Sequence, residues 1–186
     1  MQLRRLALST VAAVAVSASL AACGGDNPTV ARSEGVYVST GGLKYQVQIS
    51  RQLTPADFED SDYLKGIASG DANLPKDQSW FGVFIRVFNK SDQPHQSANR
   101  FVIADTTGAR FDPVRVDPNI NVVAYRPLVV KPGDQIPVPG SLARENATQG
   151  GLLLFKIPVK AYANRPLELH IASPTGGPEA IVDLDI

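Results

Sequence analysis

The 186-residue sequence is poor in the side chains that build covalent or metal-held frameworks. It has one cysteine, Cys23, which excludes an internal disulfide and a cysteine-based zinc site. Its two histidines, His95 and His170, are too few for a histidine-rich metal site. The 18 basic and 18 acidic side chains cancel, so no strong positive field is present to attract nucleic acid. The remaining composition, 44% hydrophobic and 19% charged, is typical of a globular domain.

Sequence signatures of common enzymes are also missing. The string nearest to a Gly-x-Ser-x-Gly nucleophile motif, Gly66–Gly70, has the wrong spacing. There is no phosphate-binding loop and no dinucleotide fingerprint, so no cofactor is expected. We therefore predict that the protein is not an enzyme. A hydrolase of envelope polymers stays open as an alternative, because it needs only paired carboxylates facing a cleft, which one sequence does not display.

The N-terminus matches the signal of a bacterial lipoprotein. Arg4 and Arg5 precede an apolar run over residues 6–22, which ends in the string Leu20–Gly24 with Cys23 inside it. Small side chains before the cysteine would fit a signal-peptidase cleft, and the thiol would accept a diacylglyceryl group. A plain secretory signal with an incidental cysteine and an uncleaved anchor helix are the alternatives. The paired arginines leave the export route, general or twin-arginine, open.

These features predict three regions. Residues 1–22 would be a signal peptide, residues 23–42 a lipidated tether, and residues 43–186 a folded domain. The tether prediction rests on the small, polar composition that follows Cys23. The acylated cysteine would hold the protein in the lipid bilayer, on the extracytoplasmic side of the cell membrane.

The folded region has the pattern of a β protein. Residues 43–50 alternate between apolar and polar, as in a half-buried strand, and Trp80–Phe88 is almost continuously apolar, as in a central strand. Thr106–Gly108 separates two further strands and predicts a hairpin. Other predicted strands are Leu128–Val130, Gly151–Ile157, Leu167–Ile171 and Ala180–Ile186. The 14 prolines leave room for one short helical segment, within Pro55–Ser69. We predict an all-β domain, a sandwich of two antiparallel sheets.

Several of these stretches resemble the DUF4352 group of immunoglobulin-like domains. The matching stretches are Val83–Ser91, Phe101–Asp105, Phe111–Pro113, Lys131–Gly133, Gly150–Pro158 and Leu167–Leu169. A fuller set, which looks like an actinobacterial branch of exported lipoproteins, adds Trp80–Phe81, Ala124–Pro127 and Asn164–Leu167. The resemblance covers about residues 43–186 and implies an immunoglobulin-like antiparallel β-sandwich. It implies no catalytic residues, and a fold of this kind hosts many functions.

The acidic cluster Asp57, Glu59, Asp60 and Asp62 is a weak candidate for a calcium site. It does not fit the helix-loop-helix calcium pattern, because Asp62 stands where a glycine belongs and Ala68 where a bidentate glutamate is needed. Asp and Glu also favour the positive end of a helix dipole. We expect these residues to begin a helix, and no metal site.

Tyr125 and Arg126 are the candidate partner contacts, because tyrosine and arginine are common anchors of interfaces. Arg51, Arg86 and Arg165, like Arg126, follow or interrupt apolar strands. We expect these arginines to stack on aromatic rings or to pair with aspartates; a shared anion-binding patch is the alternative.

Three functions remain possible from the sequence. The preferred one is a non-catalytic binding or interaction module of the cell envelope, meeting an unidentified protein or ligand. The second is a carrier or sensor of a small ligand or of calcium. The third is the envelope hydrolase.

Overall fold

A computed structural model describes residues 28–185. The predicted signal peptide and its lipidation residue, Cys23, lie outside the described residues. Within the described range the strands are β1 (Val30–Ala31), β2 (Tyr37–Thr40), β3 (Leu43–Leu53), β4 (Gln78–Phe88), β5 (His95–Gln96), β6 (Phe101–Ala104), β7 (Arg110–Phe111), β8 (Val129–Val130), β9 (Gln135–Ile136), β10 (Gly151–Pro158), β11 (Leu167–Ile171) and β12 (Ala180–Leu184). No helix of residues 28–185 is long and apolar enough to cross a membrane.

The strands form two facing sheets, so the predicted all-β sandwich is confirmed. The first sheet has the order β1-β12-β11-β6-β7, and the second has the order β10-β4-β3-β2, with β9 also pairing with β4. Neighbouring strands are antiparallel except for β1 and β12, which run parallel. The short strands β5 and β8 form a separate pair.

The inner core lies between the two sheets. Alternate residues of β3, β4 and β11 point into it, and Tyr45, Val83, Ile85 and Leu169 have no exposed surface. A second apolar cluster lies on the outer face of the second sheet, where Phe84 is fully buried. Strand β4 is therefore covered on both faces, as its continuous apolar sequence predicts.

A β-bulge changes the alternation that the sequence predicts for β3. Val47 pairs with Ile85, but Ile49 pairs with Phe84, so Gln48 is an extra residue in this strand. Beyond the bulge the two faces are exchanged: Ile49 is 40% exposed and Ser50 is buried. The prediction that Ile49 lies inside is wrong for this reason.

The helical content is small but exceeds the single segment predicted. The predicted segment contains α1 (Phe58–Tyr63), and a second helix, α2 (Leu142–Glu145), and a 3₁₀-helix, Val159–Ala163, also form. Both additions span less than two turns, too short to display an apolar period.

The predicted tether, residues 23–42, overlaps the folded domain. Strand β1 pairs with β12 and strand β2 pairs with β3, so the described domain includes residues on the N-terminal side of Leu43. The boundary at residue 43 is therefore too late. A two-residue and a four-residue strand give little periodicity from which to recognise them.

Candidate binding surface

The outer face of the second sheet is covered by irregular chain rather than by solvent. A segment, residues 113–128, runs along the edge of β10: Leu152 N donates to Val123 O at 2.8 Å, and Tyr125 N donates to Leu152 O at 2.9 Å. Val114 N donates to Leu154 O in the same way, at 2.8 Å. These bonds occupy backbone groups that an edge strand would otherwise leave open, and they hold the segment firmly in place.

A groove of about 220 Å³ lies between this segment and the loop that carries α2. One wall contains Val122, Ala124 and Leu128, and the facing wall contains residues 136–138 and Ala143. Gly151 lines the groove as well; a side chain there would stand 3.1 Å from the backbone of Tyr125, so glycine permits the close approach of the covering segment. The groove is apolar and its lining contains no carboxylate.

The groove belongs to a larger exposed apolar surface, which we call the apolar strip: Ile120, Val122, Leu128, Val138 and Leu142. Their exposed fractions are 60%, 56%, 36%, 52% and 64%. Val122 lines both the groove and a neighbouring cavity of about 290 Å³, which Ile120 and Leu142 also line. Single exposed apolar residues are ordinary, but a set that shares two neighbouring cavities makes this face the candidate interaction surface.

One arginine lines the groove and two more lie next to residues of its wall. Arg126 lines it, Arg144 follows Ala143 on α2, and Arg86 donates to Gln135, next to the groove wall, at 3.3 Å. Burial lowers the pKa of Arg86, and the nearby positive charge of Arg144 lowers it further. Their polar partners are neutral: Arg126 donates to Pro118 O and Arg144 donates to a glutamine. Among the ion pairs of residues 28–185, none involves these three arginines.

The two predicted partner contacts, Tyr125 and Arg126, lie in different surroundings. The Tyr125 side chain packs on the inner core, with its ring edge on Phe101 at 5.1 Å and its hydroxyl donating to Ala98 O at 2.9 Å. Burial raises the pKa of Tyr125 well above its ordinary value. The Tyr125 ring is thus half-buried against the core, and its role as a partner contact stays a prediction. Arg126 is exposed and lies at the groove, where a partner could reach it.

The carboxylates of the acidic segment 57–62 contact residues of α1 and its surroundings. Asp57 caps α1, accepting from Glu59 N at 2.9 Å and from Asp60 N at 3.2 Å. The carboxylate of Glu59 accepts from the Tyr63 hydroxyl at 2.9 Å. The cluster thus begins a helix, as expected from the preference of acidic residues for this position.

The other two carboxylates of the segment form separate ion pairs. Asp60 is buried and lies 2.6 Å from Arg51, whereas Asp62 is exposed and lies 2.5 Å from Lys65. The segment therefore does not bring its oxygens to a common point. Within residues 28–185 no group of three metal-ligating side chains is found.

The arginines that follow or interrupt strands, and His170, all have partners within the described residues. Arg51 lies over the Tyr63 ring at 5.8 Å, and Arg86 over the Phe88 ring at 4.7 Å, which confirms the expected stacking for these two arginines. Arg126 and Arg165 instead donate to the backbone oxygens of Pro118 and Tyr162. His170 lies on the outer face of the first sheet, where Nδ1 is 3.0 Å from Glu179.

Sequence reasoning missed most of the apolar strip. The stretch 118–127 is bounded by prolines and contains Ile120 between two asparagines, with Val122 directly after the second. Apolar residues in such a loop are one available signal of an exposed contact, but the pattern does not show whether they are covered.

Comparisons with known proteins find proteins of similar fold but do not establish a function. No protein-family model and no curated protein matches the chain. The YjhA protein from Bacillus subtilis aligns with 13% identity and a TM-score of 0.56, over 83% of this chain and 99% of that one. YcdA from Bacillus subtilis, a candidate lipoprotein, aligns with 12% identity and a TM-score of 0.50, over 80% of this chain and only 38% of that one. At such identities the likeness shows a shared fold alone, so the chain is defined as a β-sandwich protein.

Proposed function

We propose that the chain is an exported lipoprotein, anchored through acylated Cys23 to the outer face of a bacterial cell membrane, and that it acts as a non-catalytic binding module. Its apolar strip would bind an envelope protein. The relation to the DUF4352 group of actinobacterial lipoproteins, which rests on the residue pattern, is part of this proposal. The likeness to YcdA, itself a candidate lipoprotein, agrees with it.

The observation that carries the proposal is the juxtaposition of five exposed apolar side chains with Arg86, Arg126 and Arg144, which form no ion pair with a carboxylate of residues 28–185. Covering the exposed part of each apolar side chain contributes on the order of 1 kcal/mol. Guanidinium groups whose present partners are neutral favour carboxylates on the partner protein. The expected partner therefore presents apolar side chains beside acidic ones.

The residues of the groove and of segment 57–62 favour a binding module over a hydrolase or a calcium carrier. The groove lining offers Ser141 and Arg126 as its polar side chains, and no carboxylate pair for hydrolysis. A calcium carrier gains no support from segment 57–62, because each of its four carboxylates is engaged with partners of its own. A groove of about 220 Å³ is also small for an ordinary ligand pocket, for which about 300–1,000 Å³ is typical.

The anchor is tested by changing Cys23 to alanine and following the protein through detergent phase separation. Wild type should enter the detergent phase, and Cys23→Ala should stay unprocessed or be released into the aqueous phase. Thr175→Ala, on an exposed loop, serves as the matched control and should behave as wild type. Wild-type protein in the aqueous phase with a free thiol would contradict the proposal.

The strip is tested by site-specific photo-crosslinking in intact cells. A photoreactive residue at Leu142, in the strip, should give a discrete crosslinked protein. The same residue at Val159, an apolar position of similar exposure outside the strip, should not. Val122→Asp should reduce the Leu142 product several-fold while the protein stays folded. Equal products from both positions would overturn the assignment of the strip.

A further inference from the structure

The strand registers define two opposite ends of the sandwich. At one end, which we call the hairpin end, lie the Gly41–Gly42 turn, the 131–134 turn and the 173–179 loop. At the other, which we call the helix end, lie α1, the 105–108 turn and the 3₁₀-helix Val159–Ala163. Thr40 Oγ1 donates to Pro178 O at 2.7 Å, which ties the two sheets together at the hairpin end.

The first described residues enter the sandwich at the hairpin end. Ser39 N, beside the Gly41–Gly42 turn, donates to Pro28 O at 3.0 Å. Ile181 N, at the start of β12, donates to Thr29 O at 2.8 Å. Pro28 is thus held between the edges of both sheets.

The distance from Pro28 to the predicted anchor is short. Pro28 lies five residues after Cys23, and five fully extended residues span at most about 18 Å. Strand β3, which runs from one end to the other, has 11 residues and is therefore about 36 Å long. With the helix end on the bilayer, Pro28 would stand farther from the lipid than this segment can reach.

The charges of the two ends favour the same orientation. At the hairpin end, the lysines 44, 90 and 131 balance the acidic residues 92, 134 and 179. At the helix end, the acidic residues 57, 59, 60, 62 and 105 outnumber the basic residues 51, 65, 160 and 165, and Asp57 and Glu59 have no ion-pair partner among the described residues. An anionic lipid surface repels the helix end more strongly than the hairpin end.

We propose that the hairpin end faces the lipid bilayer and the helix end points away from it. This inference rests on the proposed function, since it needs the lipid anchor at Cys23. The apolar strip, on the outer side of the second sheet, then lies between the two ends and stays open to a partner.

Fluorescence quenching by spin-labelled lipids tests the orientation in the full lipidated chain. The protein is reconstituted in vesicles of phosphatidylcholine and phosphatidylglycerol that carry a nitroxide on a fraction of the headgroups. Single cysteines are introduced by Gln93→Cys and Thr175→Cys at the hairpin end and by Lys160→Cys at the helix end; all three positions are exposed. Acylation removes the thiol of Cys23, so a thiol-reactive fluorophore labels the introduced residue alone.

Quenching should be several-fold stronger at positions 93 and 175 than at position 160. Equal or reversed quenching overturns the orientation, and quenching at only one hairpin-end position shows a molecule lying on its side, which also overturns it. Flotation of the unlabelled protein with the vesicles is measured in parallel. Failure to float, with a reactive thiol at Cys23, overturns the proposed anchor itself, whereas a floating protein with reversed quenching overturns the orientation alone.

Discussion

Arg51 Nη2 lies 2.6 Å from the buried carboxylate oxygen Oδ1 of Asp60, and this ion pair fastens α1 to the end of β3. The second oxygen of Asp60 accepts from Thr54 N at 2.8 Å, so the carboxylate also closes the turn that leads into the helix. The acidic segment that the sequence analysis considered as a calcium site therefore has a structural role: it connects α1 to β3.

Asp60→Ala should lower the free energy of unfolding by about 2 kcal/mol, because it removes the ion pair with Arg51 and leaves Thr54 N without its hydrogen-bond acceptor. Asp62→Ala removes an exposed ion pair with Lys65 and should change stability by less than about 0.5 kcal/mol. Urea unfolding of both variants measures the difference. Equal losses of stability in the two variants would mean that the Arg51–Asp60 contact does not stabilise the connection between α1 and β3.

Tyr125→Phe and Arg126→Ala should separate stability from binding. Removing the Tyr125 hydroxyl leaves Ala98 O without this donor and should lower stability by about 1 kcal/mol. Arg126→Ala removes an exposed side chain and should leave stability nearly unchanged while weakening the crosslink from Leu142. Thermal unfolding and crosslinking yield are measured on both variants. A Tyr125→Phe variant with unchanged stability, or an Arg126→Ala variant that is destabilised but crosslinks normally, would contradict the placement of the two residues.

Gly42→Ala should disturb His95. Gly42 has φ +79°, and a Cβ there would overlap the His95 ring, so the ring must move. Gly133→Ala meets the same positive φ, +79°, but no atom within 4 Å, and should cost only the backbone strain of about 1–2 kcal/mol. NMR shifts of the His95 ring should change in Gly42→Ala and not in Gly133→Ala. An unmoved ring in both would refute the close contact.

The turn at Asp105 should give the stability a dependence on acid pH. Hydrogen bonds from Thr107 and Asn164 hold the pKa of Asp105 at about 2, below its ordinary value of 3.8. Because the folded-state pKa is lowered, the stabilisation is fully present above pH 3.8 and is lost as the pH falls towards 2.

Thr107→Val should therefore destabilise the protein at pH 5 and have progressively less effect between pH 4 and pH 2. Thr106→Val is the matched control, because no hydrogen bond joins the Thr106 side chain to Asp105 among the described contacts. Urea midpoints at each pH measure the effect. A difference between wild type and Thr107→Val that stays constant down to pH 2 is incompatible with the lowered pKa.

The sequence predicts the strands that carry long apolar or alternating patterns. Trp80–Phe88 and Gly151–Ile157 are recognisable because a buried strand repeats the same residue types over many positions. The hairpin around Thr106–Gly108 is recognisable because Gly108 supplies the positive φ that the turn requires.

Other features depend on partners that a sequence does not display. The bulge at Gln48 adds one residue opposite β4, and only the pairing reveals which residue is extra. Whether Tyr125 and Ile120 are covered is decided by the path of the 113–128 segment, which has little regular structure. The candidate binding surface was therefore predicted only in Arg126, and its apolar part was not.

The anchor on which the proposed role depends is tested most directly by mass spectrometry of the protein extracted from membranes. We expect an N-terminal peptide that begins at Cys23 and carries a diacylglyceryl group, with residues 1–22 removed. An intact leader, or a mature chain with an unmodified Cys23 thiol, would contradict the lipid anchor and the membrane orientation inferred from it.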